Sequence, residues 1–242
     1  MKYSIIIPAL NEEKLLPGLL GQLNDLCLKS KFEYEIIISD GGSRDKTVEI
    51  ALNIADTIKI HDGSKPQNIA QGRNQGAKLA KGEILIFLNG DILLPPAADF
   101  FGFIENNFSN SNYLAMTCIV KVFPDEQILS DVLFHWGFNT YFKLLNKFGV
   151  GMGRGECQII RKSIFNKVNG NNEDLAAGED FDLFRRIKKH GNILFTDKIV
   201  VFESPRRYRK LGYVGVSWSW AKNGLSVLFK NRSISKEWEQ VR

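Results

Sequence analysis

Short apolar runs and stretches of helical period alternate through the first half of the chain. Residues 3–8 (YSIIIP) are largely apolar and rich in β-branched side chains, the pattern of a strand buried on both faces. Asn11-Glu12-Glu13 offers a cap and first-turn acids for a helix to about residue 27, with Leu15, Leu16, Leu19, Leu20 and Leu23 on one face. Residues 35–39 (EIIIS) predict a second buried strand. It closes in Asp40-Gly41-Gly42-Ser43, and Ser43 or Asp45 caps a helix through about residue 55. Residues 57–61 predict a third strand, 68–80 a helix and 83–88 (EILIFL) a fourth strand. This β-α-β-α-β-α-β order implies right-handed crossovers and a mainly parallel sheet with helices on both faces.

The second half is less regular. The pattern predicts a helix over 97–107, a strand over 114–123, one long aromatic-rich helix over 125–147 and a flexible glycine loop over 149–155. A short strand over 157–160 and a brief helix over 163–168 follow. A helix over 179–190 ends at Gly191, a good residue to follow a helix. Residues 193–202 supply one or two edge strands, and 211–229 an aromatic helix. No internal repeat or low-complexity linker interrupts the chain.

Composition narrows the picture. With 242 residues, 44% hydrophobic and 24% charged, the chain is globular rather than disordered or disulfide-stapled. Its net charge of +5 is uneven. Residues 203–242 hold nine Lys/Arg against three acids, while the first 202 hold 23 against 24. A local basic patch fits this better than a diffuse nucleic-acid surface, and no nucleic-acid partner is expected. Cys27, Cys118 and Cys157 are far apart in sequence and read as free thiols of a reducing compartment. No signal-peptide pattern is visible, and no apolar run approaches the ~20 residues that span a bilayer. The expectation is a soluble cytoplasmic protein, or one attached to a membrane from one side.

In an open parallel sheet, ligands bind beyond the carboxyl ends of the strands. Three polar loops fall there: Ala9-Leu10-Asn11-Glu12, Asp40-Gly41-Gly42-Ser43 and Asn89-Gly90-Asp91. The first of these, with Ser4-Ile5-Ile6-Ile7-Pro8 before it, resembles the opening of inverting family 2 glycosyltransferases with the GT-A fold. So do residues 38–47 (ISDGGSRDKT), residues 72–77 (GRNQGA) and residues 80–83 (AKGE). Asn89-Gly90-Asp91 stands where that family carries its D-x-D signature, and Gly178-Glu179-Asp180 matches its late E-D motif. The motifs follow the family's order over about residues 3–190. The resemblance implies a GT-A-like, Rossmann-like sheet flanked by helices, with a basic, aromatic C-terminal helical appendage. It divides the chain into a nucleotide-sugar half (1–112), an acceptor half (113–203) and the segment 204–242.

The resemblance also implies roles. Pro8, Ala9, Asn11, Glu12, Asp40, Arg73, Asn89, Gly90 and Asp91 would bind the nucleotide sugar. Asp40 would accept from the N–H of a uracil-type base, although a turn-capping aspartate explains it too. Arg73 would meet the diphosphate or the base edge. Asp91 would hold Mg²⁺ or Mn²⁺, hard ions that take one or two carboxylates plus phosphate oxygens. Asn89 replaces the usual first acid of the signature, which predicts weaker metal affinity. Asp180, with Glu179 beside it, would be the general base, kept ionised by the helix N-terminus.

Gly151, Gly153 and Gly155 read as a mobile acceptor loop, with Glu156 and Gln158 beside the sugar. Arg206 and Arg207, in the run 204–210 (SPRRYRK), suit a phosphate-bearing acceptor, a membrane surface or packing on the core or another subunit. The partners expected are a nucleotide-sugar donor and a sugar or lipid-linked acceptor, with peripheral membrane contact through 204–242. Two rivals are a non-catalytic GT-A-like binding module and a nucleotidyltransferase. The latter needs a glycine-rich basic loop after the first strand, which Ala9-Leu10-Asn11-Glu12 is not.

Overall fold

The computed structural model describes residues 1–63, 66–230 and 232–233. Four parallel strands form one half of the sheet: β1 (Tyr3–Ala9), β2 (Tyr34–Asp40), β3 (Thr57–Ile60) and β4 (Ile84–Leu88). The second half holds β5 (Ile92–Leu93), β6 (Ala115–Val122), β7 (Cys157–Arg161) and β8 (Ile193–Glu203). The order across the sheet is β3-β2-β1-β4-β7-β6-β8-β5. Among the described residues, four of the seven strand pairings are parallel; β7 runs antiparallel to both neighbours and β5 antiparallel to β8.

Every residue of β2 and β4 is buried, because helices cover both faces. On one face Ile5, Ile7, Ile36, Ile38, Ile86 and Leu88 pack with α1 (Leu16–Leu23) and α5 (Ala97–Ile104). On the other, Ile6, Ile37, Leu85 and Phe87 share a core with Ala77 of α4 (Ile69–Leu79) and Leu183, Phe184 and Ile187 of α8 (Glu179–Lys188).

Several expected elements change at their ends. The helix expected from Asn11 is two helices, α1 and α2 (Leu26–Phe32), because Asp25 caps the second: its Oδ1 accepts from Cys27 N at 2.8 Å and Leu28 N at 3.0 Å. The crossover from β2 is the short α3 (Thr47–Leu52). The long helix α6 starts at Leu129 rather than 125 and runs to Lys147. The brief helix is α7 (Lys162–Lys167). Residues 193–202 lie in one strand, β8, that pairs with β6 along its length and with β5 only at Phe202 and Glu203. The C-terminal helix α9 (Arg206–Lys230) opens five residues early and kinks at Gly212, whose φ is 70°.

Two sequence-distant cysteines, Cys118 on β6 and Cys157 on β7, share a side-chain hydrogen bond in the sheet; both are free and buried. That bond and burial push the Cys157 thiol well up, which leaves it inert. No helix among the described residues is long and apolar enough to cross a membrane. Residues 231 and 234–242 lie outside the described residues, and with them Lys236, Glu237, Glu239 and Arg242 of the basic segment. The side chains of Leu225, Leu228 and Phe229 lie outside them too.

Candidate functional site

A cavity of about 1170 Å³ opens at the carboxyl ends of β1, β2 and β4. Pro8, Ala9, Ser39, Gly41, Asn89, Gly90 and Asp91 line one side. Phe134, Phe138 and Phe142 of α6 and Trp220 of α9 line the other, so the walls are polar at the strand ends and aromatic opposite.

Arg73 organises the cavity floor. It is fully buried on α4, and its guanidinium donates to Glu179 Oε1 at 2.8 Å, Asn89 Oδ1 at 3.1 Å and the Gly155 carbonyl at 2.7 Å. Three chain segments are thereby fixed by one cation, a strong charge-assisted arrangement. These bonds tie Arg73 to Glu179 and Asn89 at the edge of the cavity.

Asp180 follows Glu179 in the first turn of α8 and lines the cavity. Its Oδ1 accepts from Phe181 N at 2.7 Å. The turn is reached through Gly178, whose φ of 81° suits glycine and lets the two acids point inward together. The helix N-terminus does not keep Asp180 strongly ionised, contrary to expectation. Burial and then the neighbouring Glu179 charge push its carboxyl up to about 7, against the pull of Arg73.

A second charged cluster borders the same cavity. Arg154 donates to Glu156 Oε2 at 3.1 Å and Oε1 at 3.2 Å, and reaches Glu203 Oε1 at 3.4 Å. Burial works against the Glu156 charge, but Arg154 outweighs it and holds the carboxyl at about 2. Glu203 goes the other way: burial and the Glu156 charge raise it to about 8, and it accepts from Tyr208 Oη at 2.7 Å. Buried His135 is lowered to about 4, first by burial and then by Arg154, so it is neutral beside Glu203.

The third cluster joins the loops after β1 and β4 to the tail. Arg206 Nη2 donates to Glu12 Oε1 at 2.6 Å and to Asp91 Oδ2 at 2.9 Å; its Nη1 reaches Glu12 Oε2 at 3.0 Å. The chain is brought there by pairing of Ile92 with Glu203 and by a bond from Ser204 N to the Asp91 carbonyl at 3.2 Å. Two carboxylates thus converge on one cationic nitrogen. A hard divalent ion asks for that oxygen pair, together with phosphate oxygens from its ligand. Glu12 and Asp91 therefore fit such an ion once Arg206 moves aside, whereas Asn89 is engaged by Arg73.

The structure gathers Pro8, Ala9, Glu12, Arg73, Asn89, Gly90, Asp91, Glu156, Glu179, Asp180, Arg206 and Arg207 around this one cavity. Three expected residues do not line it. Asn11 sits at φ 52° and turns its side chain to Arg44 N at 2.7 Å, tying down the loop after β2. Asp40 is fully buried; its Oδ2 accepts from Gly42 N and Ser43 N at 2.9 Å, while Oδ1 has no partner behind the lining residues Ser39 and Gly41. Gln158 is fully buried in β7 opposite Phe87, so it stands within the sheet rather than beside an acceptor.

The glycine loop, expected to be mobile, is packed over most of its length. Residues 151–154 are buried against α8, and a Cβ on Gly153 would overlap the Phe184 ring. Arg154, His135 and Glu203 were not legible as site residues, because each looks like an ordinary polar position on its own element. The Glu203-Ser204-Pro205-Arg206 junction, where an acid ends a strand beside a basic run, was the available signal.

The sequence pattern that defines Glycosyl transferase family 2 matches residues 4–168. An undecaprenyl-phosphate 4-deoxy-4-formamido-L-arabinose transferase of Pseudomonas fluorescens (strain SBW25) is 35% identical over 101 residues. That match takes in 38% of this chain and 28% of the relative, so the chain spans under a third of the curated relative's length. Among solved structures, the mannosyltransferase PcManGT from Pyrobaculum calidifontis, in complex with GDP-Man and Mn2+, superposes with a TM-score of 0.63 at 15% identity. The match covers 88% of this chain and 62% of that one. S. aureus TarS 1-349 in complex with UDP-GlcNAc gives 0.59 at 18% identity, over 83% of this chain and 58% of that one. The shared architecture is the GT-A fold.

Proposed function

The chain belongs to glycosyl transferase family 2, and from that premise we propose that it moves a sugar from a UDP- or GDP-linked donor to an acceptor hydroxyl or lipid phosphate, with inversion. The observation that carries this reading is the placement of Asp180 and of the Glu12–Asp91 pair on one cavity at the strand ends. Residues 1–112 supply the donor side and 113–203 the acceptor side. Gly41 and Gly90 line the cavity, where a backbone without a Cβ lets the nucleotide approach closely, while Asp40, buried behind Ser39 and Gly41, holds the turn after β2.

On a hydroxyl acceptor, Asp180 takes the proton as the oxygen bonds to the anomeric carbon. The bond from that carbon to the diphosphate breaks, and its electron pair leaves with the nucleoside diphosphate. A carboxyl near 7 is well matched to this task at neutral pH. A phosphate acceptor arrives already ionised and calls instead on a cation, which Arg207 supplies at the cavity, Arg206 being held by Glu12 and Asp91. The relative that acts on undecaprenyl phosphate favours that second class. Mg²⁺ or Mn²⁺ held by Asp91 with Glu12 would, when bound, neutralise the departing diphosphate. Arg73 holds Glu179 at the cavity floor.

A thermal-shift screen of nucleotide sugars with and without Mn²⁺ tests the donor. A ligand that binds the native state raises Tm by mass action. The engagement of Asn89 by Arg73 and of Asp91 by Arg206 favours one rival, a non-catalytic binding module. That rival is preferred if a donor binds and no acceptor is ever glycosylated.

A further inference from the structure

Helix α6 is amphipathic the wrong way round. Its buried positions are polar: Asp131, His135 and Asn139. Asp131 is ion-paired with Arg209, and Asn139 bonds both backbone groups of Val120. Its outward positions are apolar: Leu129 is 74% exposed, Trp136 69% and Leu133 60%. Helix α9, packed beside it through Phe134, Phe138 and Trp220, exposes Val214 at 84% and Trp218 at 62%. Scattered apolar residues on a surface are ordinary, but two neighbouring helices with bare tryptophans are not.

We propose that the α6–α9 face docks on an anionic lipid surface. Charge selects the occupant. The two helices hold one acid, Asp131, which is buried; Arg206 and Arg207 line the cavity and Arg209 pairs with Asp131, and Lys143, Lys147, Lys210 and Lys222 are exposed. Two copies of the chain apposed through this face would set base against base with no acid of either helix to pair them. An anionic headgroup layer meets both requirements: it takes the apolar residues into its acyl boundary and the lysines at its surface. Indole rings favour that boundary, and Lys222 sits 4.8 Å from the Trp218 ring centroid. Lys143 shares an exposed ion pair with Asp197, a contact that salt and headgroups readily exchange.

The cavity opens at the same face. Leu133, Tyr141 and Leu211 are exposed and also line it. A phosphate carried by a lipid would reach Arg207 without leaving the interface. That last step rests on the transferase reading; the docking surface does not.

Flotation of the whole chain with vesicles tests the proposal with no sugar nucleotide present. The chain is expected to float with phosphatidylglycerol-containing vesicles, to stay behind with pure phosphatidylcholine, and to show a blue-shifted tryptophan emission when bound. The variant Leu129→Ser/Trp136→Ser/Val214→Ser changes exposed side chains that do not line the cavity. It should keep the wild-type Tm and lose about tenfold in vesicle partitioning. Equal flotation of wild type and variant overturns the proposal. So does a wild-type dimer that ignores vesicles and becomes monomeric in the variant, which assigns the face to a second copy. Donor-induced Tm shifts, measured without lipid, report separately on the transferase reading.

Discussion

Arg206 Nη2 lies 2.9 Å from Asp91 Oδ2, joining the start of α9 to the loop after β4. The same nitrogen is 2.6 Å from Glu12. Burial works against the guanidinium charge, but Glu12 and Asp91 outweigh it and raise its pKa. By sequence the basic run 204–210 suits a phosphate-bearing acceptor, yet its first arginine is held at the loops after β1 and β4. A basic residue there competes with any divalent ion for the same two carboxylates.

Removing that competitor should help the ion. Arg206→Ala is expected to tighten Mn²⁺ binding about tenfold, since a partly buried opposing charge at this range is worth over 1 kcal/mol. Asp91→Asn should abolish it. Calorimetry with Mn²⁺ and UDP reads both. An Arg206→Ala protein that binds Mn²⁺ no better than wild type removes the competition argument.

Asp180→Asn should lower transfer to a hydroxyl acceptor by ~10²-fold or more, while donor binding by thermal shift survives. The wild-type rate should climb with pH up to about 7 and then level, because one carboxyl must lose its proton. Full activity of the variant, or a rate that is flat from acid to neutral pH, removes Asp180 from the role of base.

Stability should carry the opposite pH dependence. Glu203 is raised from 4.5 to about 8 and Asp180 from 3.8 to about 7. Between the unfolded and folded values the native chain holds protons that the unfolded chain has released. Stability from these groups is therefore full in acid and declines as pH rises through that window. Glu203→Gln mimics the protonated form. Its Tm should exceed that of wild type near about pH 9, and the gap should close near about pH 4. A gap that is the same at both values means Glu203 titrates normally.

Strands β1, β2 and β4 of the parallel half were legible because each is buried almost throughout and leaves a largely apolar run, whereas β3 is a half-exposed edge strand. The donor loops followed, since strand ends fix their position. The insertion of β7 between β4 and β6 was not legible: Cys157–Arg161 carries no mark of its order or direction. Helix α6 was found by period, but its inverted burial was not, because period does not say which face meets the core. Arg206 and Asp91 stand 115 positions apart, and the β5–β8 pairing with the Ser204 N bond to the Asp91 carbonyl brings them together. Asn11 lies in a loop as expected and Asp40 is the last residue of β2 rather than a loop residue, and local capping draws both side chains from the cavity, a competition that short polar residues invite.

The last expectation concerns the loop 151–155, read from sequence as mobile. Gly153 lies against Phe184, and an added Cβ would strike the ring on three of its carbons. Phe184 is fully buried between α8 and the sheet and has no room to retreat. Gly153→Ala should therefore cost about 1–3 kcal/mol, the range of overpacked cores. Gly102 offers the contrast. It sits within helix α5, and nothing lies within 4 Å of where its Cβ would stand. Gly102→Ala should stabilise by about 0.5–1 kcal/mol through the lost freedom of the unfolded chain. Denaturant unfolding of both variants decides the matter. If Gly153→Ala is as harmless as Gly102→Ala, the loop yields freely and the acceptor side is as mobile as its glycines first implied.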